Sequence, residues 1–560
     1  MYRFRDTVLS YKTLGFFAVA GALALACCAI WNGNLNQDEG WYMYAAQSVR
    51  EGRLPYRDFF FTQGPVLPFV YSRLAPVWMA RDSCLHGILG GRIVTFAFGL
   101  AATLAAAALA RRLLPREKRS GAALAVFCLL SCNLYNVYFT SIVKTYALSS
   151  FLVICGFLAF SAGLGVPRGR GATAFTLRAA LLAASGMAFA LASGTRISLV
   201  LIPAVAGTAL FLTARRRGAS FVWFGIGLAA GLWPVYGMFA MDEASRRGLL
   251  AAQAFHAARG GFDLYNVAGS VSRLVRSYLP LCGVLAGAAF FAAGRDREPA
   301  RQTAESDSLE TERLFALRTM AMSFAAVFLL QISAPFPYDD YQTPIMGIAA
   351  IAAAVALFRA MPESGTFRRA AAAAILVASG LCAFSSPLLQ EWFTEGQDRF
   401  WILRRRHTPI AQLEIAAEEI EALDPGGEYL LTQDLYLAVQ AGRKVPERFE
   451  MGPFCYFPSI SGEDADALHV HNRESLRRYL SRSDTPRVAA FSGYGLAIGA
   501  PKMEQLPEIE QIELFRILKR SYDRMLVEES FGQNNTPLFV YRRKNAVPQK
   551  QPMPCPSSIP

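Results

Sequence analysis

Two adjacent carboxylates stand just beyond the first apolar segment of this 560-residue chain. Residues 36–42 read NQDEGWY, and residues 13–31 before them form an almost uninterrupted apolar run that follows three basic residues. Basic residues beside a membrane span remain in the cytoplasm, so Asp38 and Glu39 are expected on the opposite side of the membrane. A carboxylate there can take a proton from an acceptor group at the membrane surface. We therefore take Asp38 and Glu39 as candidate catalytic residues.

The segment after these acids predicts an amphipathic helix. Apolar residues recur at helical spacing from Tyr42 to Val49, and Gly52 follows as a C-terminal stop, so we expect a helix lying in the membrane interface. Asp38 would stand at its N-terminus, where Asp is one of the favoured capping residues. From the residues alone, a structural cap and a catalytic base explain Asp38 equally well.

The composition indicates a membrane protein with many spans. Hydrophobic residues make up 53% of the chain and charged residues 18%, a balance unlike that of a soluble enzyme of this length. We count about eleven apolar segments near the roughly 20 residues that cross a bilayer. These segments are 13–31, 88–110, 121–139, 145–165, 179–193, 197–214, 219–240, 274–294, 316–334, 344–361 and 370–386.

The distribution of basic residues sets the expected orientation. Lys and Arg are concentrated at the N-terminus and in alternate connections between the spans, which favours a cytoplasmic position for those parts. An odd number of spans then puts everything after residue 386 outside, together with Asp38. The net charge of +13 follows from this topology and from contact with anionic membrane lipids. The sequence contains no basic stripe with interleaved aromatic residues, the pattern that would indicate nucleic-acid binding.

Residues 390–545 change in character and become charged and amphipathic. We expect helices over 410–423 and 464–480 and strands over 428–432, 487–491 and 537–541, enough for a small α/β core. The proline-rich tail 546–560 is predicted to be disordered. The sequence thus predicts a polytopic α-helical membrane domain over 1–389, with an outer loop at 32–87, followed by a soluble extracytoplasmic α/β domain.

The residues after the acidic pair extend the first motif. The run EGRLPYRDFFFTQGP at 51–65, together with QDEGWY at 37–42, resembles the first extracytoplasmic loop of the GT-C superfamily of polyprenyl-phosphate-sugar glycosyltransferases. Among its bacterial members, the motif is most similar to the protein mannosyltransferases and the aminoarabinose transferases of lipid A. The resemblance covers about residues 1–390 and, more loosely, the C-terminal domain.

This resemblance implies an activity and a location. The acid of the first loop is the catalytic base in that superfamily, and by position this is Asp38, with Glu39 as its neighbour. It implies an enzyme of the bacterial inner (plasma) membrane that transfers a sugar, with inversion, from a polyprenyl-phosphate donor to a glycan, lipid or protein outside. It implies no certain cofactor and leaves the need for a divalent metal ion open. No Cys/His spacing in the chain resembles a zinc site.

Cations or hydroxyl donors must face a leaving phosphate, and several residues of the outer loops are candidates for substrate binding. Lys144 lies at the outer end of a span, where it either contacts phosphate or snorkels to the interface. Arg196 stands alone between two apolar segments, which favours a functional role. Tyr42, Arg57 and Asp58 lie in the first loop, where Arg57 either binds phosphate or pairs with Asp58.

A second candidate group lies in a late outer loop. Residues 335–344 read PFPYDDYQTP and resemble the tyrosine- and proline-containing late loop of the superfamily, without the basic residue often present there. We take Tyr338, Asp340 and Gln342 as candidates for substrate binding, and Asp339 or Asp340 could contact acceptor or metal. A solvated turn is the favoured alternative, since Asp, Pro and Tyr are ordinary turn residues.

A membrane transporter or flippase of lipid-linked sugars is the alternative class of protein. It explains the many spans and the polar residues within the membrane. It does not explain why an acidic first loop and a large outer domain face the same compartment. A scaffold or sensor protein comes third.

Overall fold

The computed structural model describes residues 10–80, 82–167, 171–257, 261–293, 304–334, 337–388, 407–493 and 495–544. The predicted tail 546–560 lies outside these residues, as does the segment 389–406 that joins the two predicted domains. The prediction of a polytopic helical membrane protein with a small C-terminal soluble domain is confirmed.

Long apolar helices form the first part of the chain. Within the described residues, eight helices are long and apolar enough to cross a membrane. They are Tyr11–Asn32, Ile88–Arg112, Thr145–Leu164, Gly171–Thr195, Arg217–Gly237, Leu309–Ile332, Asp339–Ala360 and Gly365–Ser385. A ninth candidate is the pair Leu264–Ser277 and Leu279–Ala293, which is bent by 80°.

Two predicted spans are shorter or broken in the structure, which accounts for the larger number expected from the sequence. Segment 121–139 forms two helices, Arg119–Ser131 and Leu134–Phe139, because Asn133 interrupts the first and caps the second. The Asn133 Oδ1 accepts from the backbone N–H of Asn136 at 2.9 Å. Segment 197–214 forms a 3₁₀ turn, Ile197–Val200, and a helix of 12 residues, Leu201–Leu212.

Two central helices direct residues toward one end of the bundle. Thr145–Leu164 and Asp339–Ala360 are the most enclosed spans. In their most apolar stretch 67% and 72% of the residues are buried, against 33% for the peripheral Tyr11–Asn32. Lys144 immediately precedes the first of these helices, and Asp340 lies in the first turn of the second. Both side chains are therefore held at the same end by rigid, packed elements.

The first outer loop forms the helix Gln37–Arg50, which ends before Gly52 at φ +90, as predicted. Asn36, and not Asp38, is its N-cap, and Glu39 completes a capping box. The helix is covered by the C-terminal domain, because Gly40 allows the backbone at Tyr436 to approach so closely that a Cβ would lie 2.2 Å from its nitrogen. Shorter helices around this loop are Val66–Leu74, Pro76–Met79, Met238–Met241 and Glu243–Ala257.

The C-terminal domain contains a four-stranded sheet. Its strands are β1 Leu431–Thr432, β2 Val488–Phe491, β5 Tyr522–Phe531 and β6 Thr536–Arg543, in the order β1-β2-β6-β5, while β3 Ile498–Gly499 and β4 Glu504–Gln505 pair separately. The strands β1 and β2 are parallel, and the other pairs of the larger sheet are antiparallel. The helices are Pro409–Leu423, Leu435–Gln440, Gly462–Ala467, Arg473–Leu480 and Glu508–Ser521.

The predicted elements of this domain agree with the structure in part. The helix 410–423 and the strands 487–491 and 537–541 are present, whereas the expected strand 428–432 is limited to Leu431–Thr432. The expected helix 464–480 is two helices, because His469 has a φ of +54 and residue 471 bridges to Tyr456. The helix Glu508–Ser521 and the strand β5 were not predicted. The strand β5 alternates between exposed and half-buried positions and carries several charges, so it lacks the apolar signal that marks a core strand.

The C-terminal domain packs directly on the first loop. The Tyr44 hydroxyl accepts from the backbone N–H of Val445 at 3.0 Å, and Arg53 forms an ion pair with the buried Glu450 at 2.5 Å. The Gln440 Oε1 accepts from the Ile88 N–H at 3.1 Å, at the first residue of a membrane helix. These contacts fix the domain over the end of the bundle where Lys144 lies.

Candidate active site

A cavity of about 1020 Å³ lies between the helix bundle, the first loop and the C-terminal domain. Of the residues proposed from the sequence, Asp38, Tyr42, Lys144, Arg196, Tyr338 and Asp340 line this cavity, and so does Asp339. They come from separate connections between the helices of the bundle. The fold thus brings the two acidic loops together with the two cations, Lys144 and Arg196, that were proposed from the sequence.

Asp38 occupies the second position of the helix Gln37–Arg50, where its side chain is 24% exposed. Because Asn36 provides the cap, the capping explanation for Asp38 no longer applies. The Asp38 Oδ2 lies 3.1 Å from the Nζ of Lys144. This contact orients a carboxylate that still faces the cavity.

Lys144 connects the two acidic loops. Its Nζ lies 2.9 Å from the Oδ2 of Asp340 as well as close to Asp38, and the Tyr146 hydroxyl donates to the same Asp340 oxygen at 2.9 Å. The ammonium group is 5.0 Å from the centre of the Tyr146 ring. Lys144 is buried and doubly paired, so it is not a lysine that snorkels into solvent.

Arg196 is held in the cavity by aromatic rings. Its guanidinium carbon lies 4.9 Å from the centre of the Tyr146 ring and 5.0 Å from that of Tyr341, and one nitrogen donates to the Thr145 hydroxyl at 3.0 Å. Its Nε is buried and has no hydrogen-bond partner among the described residues. A guanidinium fixed in this way, with a donor unused, is suited to bind an anion.

Arg273 is a third cation at the cavity, and it was not singled out from the sequence. Its Nε lies 3.3 Å from the Oδ1 of Asp339, whose Oδ2 accepts from the Tyr135 hydroxyl at 2.6 Å. Arg273 belongs to the first half of the bent pair, Leu264–Ser277. The apolar residues of Leu264–Ser277 recur at helical spacing, and this amphipathic pattern could have indicated a helix where a solvated loop was expected from the sequence.

Tyr42 presents a neutral hydroxyl to the cavity. Its side chain is 2% exposed, and burial raises the pKa of the hydroxyl well above its usual range, with the nearby Asp38 carboxylate acting in the same direction. The phenol therefore keeps its proton at neutral pH and can serve as a hydrogen-bond donor.

Glu39 lies away from the cavity. Its two carboxylate oxygens accept from Arg92 at 2.7 and 2.8 Å, and both side chains are fully buried. The carboxylate also accepts from the backbone N–H groups of Asn36 at 3.0 Å and Val143 at 3.2 Å. These contacts anchor the first loop to the bundle, so Glu39 supports the position of Asp38 and does not face the space where a reaction could occur.

Three other predicted residues are also outside the cavity lining. Arg57 and Asp58 form an exposed ion pair at 2.9 Å, and the Asp58 Oδ2 also accepts from the Leu54 N–H at 2.7 Å. The Gln342 side chain is buried at 2% exposure. Of the two roles that the sequence left open for Arg57, the structure shows the pair with Asp58.

The described residues contain no group of three or more His, Cys, Asp or Glu side chains that could hold a metal ion. At the cavity, the ammonium of Lys144 lies between the carboxylates of Asp38 and Asp340. It occupies the position of a cation shared by the two acids. The arrangement therefore supplies positive charge from the protein itself.

Solved structures share this architecture across the whole chain. ArnT from Cupriavidus metallidurans bound to undecaprenyl phosphate is similar with a TM-score of 0.61 and 12% identity, over 96% of this chain and 100% of that one. The chain has the same fold as this ArnT. The apo form of the same ArnT matches with a TM-score of 0.59 and 13% identity, over 95% of this chain and 98% of that one. The oligosaccharyltransferase AglB from Archaeoglobus fulgidus, in complex with an inhibitory peptide and a dolichol-phosphate, has a TM-score of 0.45.

By sequence, no family model and no curated protein matches this chain. The resemblance expected from the first loop is thus confirmed at the level of the fold, where a motif of a few residues agrees with the arrangement of the whole chain.

Proposed function

We propose that this chain is an integral membrane glycosyltransferase that moves a sugar from a polyprenyl-phosphate donor to an extracytoplasmic acceptor. The observation that carries the proposal is a carboxylate, Asp38, that faces a cavity containing three cations at one end of a membrane helix bundle. The GT-C fold, seen in an ArnT bound to undecaprenyl phosphate, supports the choice of donor.

Asp38 acts as the general base. The acceptor oxygen or nitrogen attacks the anomeric carbon of the sugar while its proton passes to the Asp38 carboxylate. The bond from the anomeric carbon to the phosphate oxygen breaks, and the electron pair leaves with the polyprenyl phosphate. A single displacement of this kind inverts the configuration at the anomeric carbon.

The cations bind the phosphate, which gains one negative charge as it leaves. Arg196 has an unused buried donor, and Arg273 lines the same cavity, so these two side chains stabilise the charge that develops in the transition state. Lys144 orients Asp38 and is itself fixed by Asp340 and Tyr146. Asp340 thus acts through Lys144 rather than on the substrate.

The distribution of basic residues in the structure supports the proposed orientation. Arg112 ends one membrane helix and donates to the carbonyl of Ala162, near the end of the helix that begins after Lys144. Lys118 donates to the carbonyl of Arg359, at the end of the helix that carries Asp340. These basic residues meet at the end of the bundle opposite the cavity, which fits a cytoplasmic location for that end and for the N-terminus.

We place the protein in the bacterial inner membrane, with the cavity and the domain 390–545 outside. The membrane domain 1–389 then supplies the base and the cations, and the outer domain closes the cavity. Phe454, Ile498, Met503 and Gln533 are the lining residues that this domain contributes.

The proposal is tested with membranes that contain the overproduced protein. Undecaprenyl-phosphate donors carrying different radiolabelled sugars are supplied together with an extract of envelope acceptors. We expect label to move to an acceptor and undecaprenyl phosphate to be released, in membranes with the protein and not in control membranes. Movement of intact donor across the bilayer without release of undecaprenyl phosphate would instead identify a flippase.

A further inference from the structure

The residues that line the cavity are of two chemical kinds. The charged lining residues all belong to the membrane part of the chain, and they are Asp38, Lys144, Arg196, Arg273, Asp339 and Asp340. Five of the uncharged lining residues, here called the outer subsite, are Gln37, Trp41, Gln253, Phe454 and Gln533. None of these five side chains carries a charge, and they are amides and aromatic rings.

The outer subsite is assembled across the contact between the first loop and the C-terminal domain. The rings of Trp41 and Phe454 meet edge to face, with centres 4.4 Å apart. The Gln533 Oε1 accepts from the Gln37 backbone N–H at 2.8 Å, and the Gln533 carbonyl accepts from the Asn34 side chain at 2.9 Å. Gln37 and Trp41 are one helical turn apart, so they present the same face.

The turn that carries Gln533 is held rigidly. Gly532 has a φ of +71, and a Cβ at this position would lie 2.3 Å from the Tyr436 hydroxyl oxygen. That hydroxyl donates to the buried Asp434 at 3.0 Å. A side chain larger than glycine is therefore disfavoured twice at residue 532, and the position of Gln533 is built into the fold.

Two donors of the outer subsite are unused. The indole Nε1 of Trp41 and the amide Nε2 of Gln37 are both buried and have no hydrogen-bond partner among the described residues. Trp41 is only 6% exposed although it lines the cavity. A buried N–H without a partner is destabilising, so a site that retains two of them is suited to a ligand that brings acceptor oxygens.

We propose that the outer subsite binds the acceptor and that this acceptor is an uncharged glycan, an inference that rests on the proposed glycosyltransferase function. Sugar hydroxyl oxygens accept hydrogen bonds from Trp41 and Gln37, and the apolar face of a sugar ring packs on the aromatic rings. None of the five residues of the outer subsite can pair with the phosphate of a phosphorylated acceptor, so these residues would not compensate the desolvation of its charge. The cations that line the cavity then remain available for the donor phosphate.

The test compares two kinds of binding in the purified full-length protein in nanodiscs. Immobilised neutral oligosaccharides, phosphorylated glycolipids and acceptor peptides are offered as acceptors, and undecaprenyl phosphate is titrated separately. We expect neutral oligosaccharides to bind, and Trp41→Phe and Gln37→Leu each to weaken that binding by about 3- to 10-fold, as for one lost hydrogen bond. Neither change should alter undecaprenyl phosphate binding. The matched control Trp31→Phe, at a residue 44% exposed on the first helix, should leave both unchanged.

The inference is overturned if neutral oligosaccharides do not bind, or if phosphorylated glycolipids or peptides bind and lose affinity through the same two changes. Oligosaccharide binding that is unaffected by either change would likewise overturn it. A wild-type protein that binds oligosaccharides but not undecaprenyl phosphate would support the outer subsite and contradict the proposed donor. Oligosaccharide binding therefore tests the outer subsite, and undecaprenyl phosphate binding separately tests the proposed donor.

Discussion

The buried ion pair between Glu39 and Arg92 gives a prediction about what holds the first loop, residues 32–87, in position. Arg92 donates five hydrogen bonds, two to Glu39 and one each to the carbonyl oxygens of Ile30, Gly33 and Asn34, at 2.7–3.0 Å. Both side chains are 0% exposed. The substitution Arg92→Met keeps most of the volume but leaves a buried carboxylate with only two backbone donors.

We expect Arg92→Met to lower the free energy of unfolding by about 3–5 kcal/mol, the range for breaking a buried ion pair. Denaturant titration in mixed micelles measures this change, and transfer activity per folded molecule is measured in parallel. The matched control is Arg57→Met, which removes an exposed pair with Asp58 and should change the stability little. The double variant Glu39→Gln, Arg92→Met should recover part of the loss, because no unpaired buried charge remains.

The reasoning is refuted if Arg92→Met unfolds at the same denaturant concentration as the wild-type protein. A normal stability combined with complete loss of transfer would also contradict it, because Glu39 and Arg92 would then take part in the chemistry.

Three further predictions follow from the site and the fold. Burial lowers the pKa of His471 to about 3, so below about pH 6.5 this imidazole takes up a proton in the unfolded chain but not in the folded one. The free energy of unfolding should therefore fall by about 2 kcal/mol between pH 7 and pH 5. In denaturant titrations, His471→Phe should remove this pH dependence. Arg196→Ala should raise the KM for the donor more than the KM for the acceptor, because we propose that its guanidinium binds the donor phosphate, and steady-state kinetics with each substrate varied will measure this. Reporter fusions after residue 544 should be active only outside the cytoplasm and fusions at the N-terminus only inside, and the reverse pattern would overturn the topology.

Helices and their membrane character could be predicted from the sequence because both are local properties. Apolar runs near the length of a bilayer coincide with the spans that the structure contains, and the capped helix after the first span ends at Arg50, just before the Gly52 that its pattern indicated as a stop. The break at Asn133 was less visible, because one polar residue within an apolar run does not by itself show which helix it caps.

The arrangement of the site could be predicted only in part. The sequence placed Asp38, Lys144 and Asp340 in outer loops, but only packing of the two central helices shows that one ammonium group connects both acids. Glu39 could not be separated from Asp38 by sequence, because its partner Arg92 lies within another apolar helix. Long-range pairs of this kind leave no periodic signal in the chain.

The cap assigned to Asn36 also changes how Asp38 can be tested. Because Asp38 does not cap the helix, Asp38→Asn removes the proposed base while the capping box of Asn36 and Glu39 remains. Lys144 keeps its contact with Asp340, so the cavity retains its shape.

Turnover of Asp38→Asn is the most direct test of the central claim that Asp38 is the general base. The purified variant is compared with wild type and with Asp58→Asn, the same substitution in an acid outside the cavity lining. We predict that Asp38→Asn lowers kcat by at least about 100-fold, as expected for loss of a general base, with unchanged unfolding and undecaprenyl phosphate binding, whereas Asp58→Asn retains transfer. Wild-type turnover by folded Asp38→Asn protein would contradict the account.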